Sequence, residues 1–199
     1  MNKKILAVFC VFTFLWAKNH EEKYKKYLIS FGDVEAKVKV VEYFSFSCPG
    51  CLEFHESVFP KIKSKYIDKG KVFWTFRPHP MDLDTIYVMT ILSYSKSKKF
   101  KYQMFENIMI AQRDWEHELD NKKKIIRVAK DLGMSVEAIN RAFGKSNYTD
   151  VFSEAFYEKN SSKIDGTPTI FVGGEEMDGI PDEEALEKKI RSCLEGEER

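Results

Sequence analysis

The stretch Val38-Lys39-Val40-Val41-Glu42-Tyr43-Phe44-Ser45-Phe46-Ser47-Cys48-Pro49-Gly50-Cys51 runs from an apolar, strand-like segment straight into two cysteines spaced by two residues. Beyond them Leu52, Phe54, Val58, Phe59 and Ile62 recur at helical spacing, which predicts a helix from Pro49 to about Asp68, kinked at Pro60. The position of the cysteines matters more than their spacing. A thiol at the first turn of a helix faces unsatisfied backbone N–H groups and the positive end of the helix dipole, and both favour thiolate over thiol. Cys48 is therefore expected to be reactive near neutral pH. Pro49 falls at the first helical position, where its missing N–H costs nothing. Cys51 lies one turn in, within reach of a small disulfide. These residues point to thiol–disulfide exchange chemistry.

Working outward, Tyr27 to Phe31 reads as a short strand, Phe31-Gly32-Asp33 as a turn, and Lys71 to Arg77 as a strand stopped by Pro78 and Pro80. A βαβ unit results, with the cysteines at the C-terminal end of its first strand, the edge where chemistry gathers in open α/β sheets. Residues 82–162 contain no proline and read as successive helices with breaks near Ser97, Asp114, Gly133 and Gly144; Ser135 reads as an N-cap. Strand character returns from Thr167 to Val172, Gly173-Gly174 signals a hairpin turn, Glu175 to Ile180 is expected to return, and Pro181-Asp182 opens a last helix through Leu194. The order β-α-β, helical block, β-β-α is α/β and resembles a thioredoxin fold with an all-helical insertion. The expected division is a leader over residues 1–17, a thioredoxin-like domain over 18–81 and 163–199, and a helical insertion domain over 82–162.

Composition excludes some classes. The 199 residues carry a formal net charge of +1, with no basic stripe for nucleic acid, and at 43% hydrophobic and 14% aromatic they suffice for a substantial core. Lys3 and Lys4 precede an almost unbroken apolar run from Ile5 to Trp16, which reads as a signal peptide cleaved near Ala17, with an uncleaved anchor as the alternative. Cys10, inside that run, is read as packing. Export, to the periplasm, implies an oxidising compartment. Three cysteines then remain, Cys48, Cys51 and Cys193, an odd number that suits a catalytic pair plus one extra thiol better than a disulfide framework.

Three pieces together resemble the DsbA-like thiol–disulfide oxidoreductases: the run Val41 to Cys51, the segment Gly166-Thr167-Pro168-Thr169-Ile170-Phe171-Val172 with Gly173-Gly174, and the helical block between them. The resemblance covers about residues 28–194. It implies that Cys48 is the exposed nucleophile and Cys51 the buried resolving thiol. It further implies that Pro168 is cis and faces the dithiol, and that the Thr167 backbone pairs with an extended client peptide. Glu42 matches the buried acid beneath the dithiol, able to relay the Cys51 proton. No cofactor is implied beyond the Cys48–Cys51 pair. The implied partners are reduced, unfolded client proteins and a membrane quinone-linked reoxidase, and the chain is expected to act as a monomer. One departure stands out. DsbA has histidine where this chain has Gly50, so Cys48 is expected to be less acidic, and the disulfide less oxidising, than in DsbA.

Other readings compete. A zinc site needs four ligands, and His55 and Cys193 do not make a second pair, so no metal is expected. A reductase or isomerase of the same fold is the nearest alternative. The few residues before the active-site strand leave no room for the dimerisation domain of known isomerases. A redox-inert peptide-binding chaperone is the reading from another class. His55 is expected as a surface or half-buried helix residue, His79 as loop structure between prolines, His117 with Trp115 as a helix-junction contact, and Cys193 as a packed side chain. Tyr43, Phe44, Phe46, Phe73, Trp74 and Phe76 read as sheet core.

Overall fold

The computed structural model describes residues 21–114 and 121–196. The leader, Cys10, Trp115 and His117 lie outside them. The elements are, in order, a 3-10 turn at Lys25–Tyr27, β1 (Ile29–Phe31), β2 (Val38–Phe44), α1 (Pro49–Ser57), α2 (Phe59–Ile62), a π turn at Lys63–Ile67 and β3 (Val72–Pro78). There follow α3 (Leu83–Ser93), α4 (Lys98–Ala111), α5 (Asn121–Asp131), α6 (Val136–Ala142), α7 (Lys145–Ser161), β4 (Thr169–Val172), β5 (Glu175–Glu176) and α8 (Glu183–Glu195). This is the thioredoxin-like arrangement with helices inserted between its halves.

The sheet has the order β1-β3-β2-β4-β5. β2 and β3 are parallel, as a helical crossover requires, and the other pairs are antiparallel. β2 lies at the centre, with Glu42 opposite Phe76 on one side and Ile170 on the other. Val38, Val40, Glu42 and Phe44 are buried on one face, while Val41 and Tyr43 are only half-buried on the other. Burial alternates along the whole strand, and this sets Glu42 among the core-facing side chains.

That face meets an aromatic core. Phe44, Phe46, Phe54, Trp74 and Phe76 are fully or nearly fully buried, and Phe59 joins them from α2. The insertion is not packed separately: Phe105 of α4 lies with its ring centroid 4.4 Å from Phe76 and 5.4 Å from Phe44. α3 is buried nearly all round, from Thr85 and Ile86 to Ile91 and Leu92, which marks it as the central helix of the insertion. A buried ion pair ties insertion to sheet. Arg77 on β3 donates to Glu158 on α7 through Nε (2.6 Å) and a terminal nitrogen (2.9 Å), and its other edge holds Glu21. The Arg77 guanidinium also lies over the Tyr24 ring, 4.9 Å from its centroid.

Three expectations need correction. The helix expected from Pro49 to Asp68 is two helices followed by a π turn. Val58 ends α1 with φ −104°, and Pro60, which offers no N–H, sits in the first turn of α2. The return strand expected from Glu175 to Ile180 ends at Glu176, because Gly179 at φ 61° turns the chain before Pro181. His55 is neither at the surface nor half-buried but 7% exposed; His79, in the loop between Pro78 and Pro80 as expected, is 1% exposed. The His79 N–H donates to Phe44 O (2.6 Å), extending the pairing of β2 with β3 past Pro78. His55 stacks on Phe59 and meets Glu106 at 3.4 Å.

Candidate active site

Cys48 is the N-cap of α1, with extended backbone angles (φ −85°, ψ 115°), and its Sγ accepts the Cys51 N–H at 3.3 Å. Pro49 follows in the first turn and forfeits no hydrogen bond. The cap places Sγ at the mouth of the helix, where the free N–H groups point. Across the site the Cys48 thiol donates to Thr167 O at 3.1 Å. The Thr167–Pro168 peptide bond is cis, and Thr169 Oγ1 donates back to Gly166 O (2.9 Å), holding this loop in shape. The fold thus brings together two segments 119 residues apart.

The two thiols differ sharply. Cys48 is half-buried and Cys51 fully buried, and both are free. Cys48 is drawn down from 9.0 to about 6, first by a hydrogen bond from the Cys51 thiol; burial opposes this, while the Thr167 side chain and the Cys51 and Gly50 backbone N–H groups add to it. Cys51 moves the other way, through burial first, then its hydrogen bond to Cys48 and the negative charges of Cys48 and Glu42. One thiol is thus suited to be an anion and its neighbour to hold a proton.

Glu42 is 1% exposed, and burial raises its carboxyl well above the ordinary range. The nearby Trp74 indole works weakly against this, but neither Glu42 Oε2 nor Trp74 Nε1 has a hydrogen bond of regular geometry. An orphaned buried carboxylate oxygen is costly when charged and tolerable when protonated.

One network was not foreseen. Ser47 donates its hydroxyl to Asp82, the N-cap of α3. Ser45 Oγ lies 2.8 Å from Thr85 Oγ1, and Thr85 Oγ1 accepts the Phe46 N–H at 3.0 Å. The turn that delivers Cys48 is therefore fastened to the first turn of the insertion. The sequence signal was slight: Asp82 has the composition of an N-cap, but nothing in it names Ser47 as a partner. Cys193, on α8, packs against the main core and its Sγ faces Gly173, remote from the dithiol in the chain. Among the described residues no group of three or more His, Cys, Asp or Glu side chains is arranged to hold a metal.

A dithiol at the N-terminus of the helix after the central strand, facing a cis-proline loop that leads into the neighbouring antiparallel strand, defines a thioredoxin-type redox protein. The chain belongs to the thioredoxin family, whose family model, described as Thioredoxin, matches residues 25–192. Its fold is that of DsbA proteins. The crystal structure of Wolbachia pipientis alpha-DsbA1 superposes with a TM-score of 0.73 at 22% identity, covering 84% of this chain and 91% of that one. Oxidised BdbD from Bacillus subtilis gives a TM-score of 0.73 at 23% identity, covering 86% and 95%. A Rickettsia felis protein, named by inference as a protein-disulfide oxidoreductase, is 30% identical over 72% of this chain and 52% of its own length. The chain thus spans about half the length of such curated relatives.

Proposed function

We propose that this protein is an exported disulfide oxidoreductase that introduces disulfide bonds into reduced client proteins. The observation that carries the reading is the asymmetry of the pair: Cys48 drawn down to about 6 and held at a helix N-terminus, Cys51 buried and held protonated. In the oxidised enzyme a client thiolate attacks Cys48 Sγ. A client–Cys48 bond forms, the Cys48–Cys51 bond breaks, and Cys51 leaves as a thiolate. Glu42, a buried carboxyl that favours its protonated form, is the proton donor to that sulfur. A second client thiolate then attacks the client sulfur of the mixed disulfide, and Cys48 departs as a stabilised thiolate. The client has lost two electrons and the cysteine pair has gained them, so no further cofactor takes part.

Thr167 and Pro168 are assigned to the client: their loop, beside Cys48, is where an extended peptide pairs with the backbone. Turnover needs a partner that withdraws the electrons, assigned as a membrane quinone-linked reoxidase. Export rests on the leader-like residues 1–17. No helix among the described residues is long and apolar enough to cross a membrane. Gly50 gives Cys48 its backbone N–H but no side-chain hydrogen bond or charge, so the disulfide is expected to be less oxidising than that of DsbA.

The deciding experiment is equilibration of the protein with glutathione redox buffers, with the Cys48–Cys51 pair followed by thiol labelling. A pair that remains reduced in mildly oxidising buffer supports disulfide donation. A thioredoxin-like, reducing midpoint refutes it in favour of a reductase or isomerase.

A further inference from the structure

Gly50 has no side chain, and the space beside it is taken by a residue from a distant part of the chain. A Cβ placed on Gly50 would lie 3.2 Å from Ile180 Cδ1, 3.5 Å from Pro168 Cδ and 3.9 Å from Cys48 Sγ. The isoleucine methyl, the proline ring and the reactive sulfur thus surround one point, the point where a side chain at position 50 would begin. Ile180 is delivered there by a tightly specified loop. The Met177 N–H donates to Ile170 O (2.8 Å) as the hairpin ends, Gly179 turns the chain at φ 61°, Pro181 follows, and Asp182 caps α8. Yet Ile180 is 55% exposed, so core packing does not account for its placement.

We propose that Ile180 is a positioning residue for the dithiol, filling the volume a side chain at position 50 would take and keeping water from that flank of Cys48, so that positions 50 and 180 act as a coupled pair. This rests on the reading of Cys48 as the reactive thiol. The physical basis is hydration. A thiolate is stabilised by water, and an apolar methyl group that shares with Cys48 Sγ the space within 4 Å of one point at position 50 limits water on that flank. Burial is indeed the influence that opposes ionisation of Cys48. The titratable groups that face it are Cys51 and Glu42, and the substitutions at 50 and 180 leave both residues in place. Because a Cβ at position 50 would come within 3.2 Å of Ile180 Cδ1, adding one there makes the isoleucine methyl give by a few tenths of an ångström.

The test is the pH dependence of Cys48 alkylation by iodoacetamide in the reduced protein, read by mass spectrometry of the Cys48 peptide. The series is wild type, Ile180→Ala, Ile180→Leu, Gly50→Ala and the double variant Gly50→Ala/Ile180→Ala. Ile180→Ala is expected to lower the titration midpoint by about half a pH unit, roughly a threefold rise in the thiolate-to-thiol ratio. Ile180→Leu restores the wild-type midpoint. Gly50→Ala moves the midpoint in the wild-type background and by less than half as much once Ile180 is gone, because both act through one volume. Coincident wild-type and Ile180→Ala profiles, or equal Gly50→Ala shifts in the two backgrounds, overturn the proposal. A wild-type Cys48 that titrates like an ordinary cysteine overturns the oxidoreductase reading and this inference with it. A reactive Cys48 indifferent to residue 180 overturns the coupling alone.

Discussion

Lowering the pH should erase a stabilisation that the reduced protein has and the oxidised protein lacks. Cys48 is drawn from 9.0 to about 6 only when it is a free thiol. Because its folded value lies below its unfolded value, it stabilises the reduced fold fully above about pH 9, and that contribution is lost as pH falls through about 6. The gap of about three units would be worth about 4 kcal/mol for a thiol wholly shielded from water. Cys48 is only half-buried, so solvent screening reduces this to about 2 kcal/mol. At pH 7, one unit above the folded value, the share present is about 0.7 kcal/mol. Expressed as a reduction potential, that makes the disulfide about 15 mV more oxidising than an unperturbed pair. The assay is urea unfolding of the reduced and oxidised forms at pH 5 and pH 8. The disulfide's own constraint on the unfolded chain is a constant offset, and most other ionisations are common to both forms. Between pH 5 and pH 8 the reduced form should gain about 1 kcal/mol on the oxidised form. A gap that stays flat with pH, or that closes as pH rises, would refute the assignment of Cys48 as a helix-stabilised thiolate.

Further outcomes follow from the same geometry. Cys51→Ala should trap a mixed disulfide between Cys48 and a client peptide, visible on non-reducing gels, while Cys48→Ser should abolish exchange. Glu42→Gln removes a carboxyl whose folded value is raised, a group that favours the fold below its unfolded value and loses that contribution as pH rises. The variant should therefore be more stable than wild type at pH 8 relative to pH 4, and should release Cys51 roughly 10–100-fold more slowly in stopped-flow exchange. Glu158→Gln leaves the buried guanidinium of Arg77 with Glu21 as its remaining carboxylate partner among those described. It should cost about 3 kcal/mol and lower the melting temperature by about 6–12 °C. Unchanged melting would mean that the pair does not fasten α7 to the sheet.

The chain's own order of residues determined a good deal. Period-2 alternation marks β2, and the same alternation sets Glu42 in phase with Val38, Val40 and Phe44 before any partner strand is known. Pro78 and Pro80 mark the end of β3 ahead of the helical block, and Gly133 and Gly144 mark two breaks within it. The local rule for a helix N-terminus makes Cys48 and Pro49 special from a handful of neighbouring residues. These are signals of short range, written within a turn or a strand of the residues they concern. Tertiary structure alone decided what meets across the chain. It set Ile180 against the empty position of Gly50, fastened Ser47 to Asp82, drew Phe105 into the sheet's aromatic core, and buried His55, which reads from sequence as a surface or half-buried helix residue. Such pairings leave no periodic trace, because hydrophobic pattern records that a side chain is buried but not against what, and a polar contact between segments depends on sheet order and register rather than on either segment by itself.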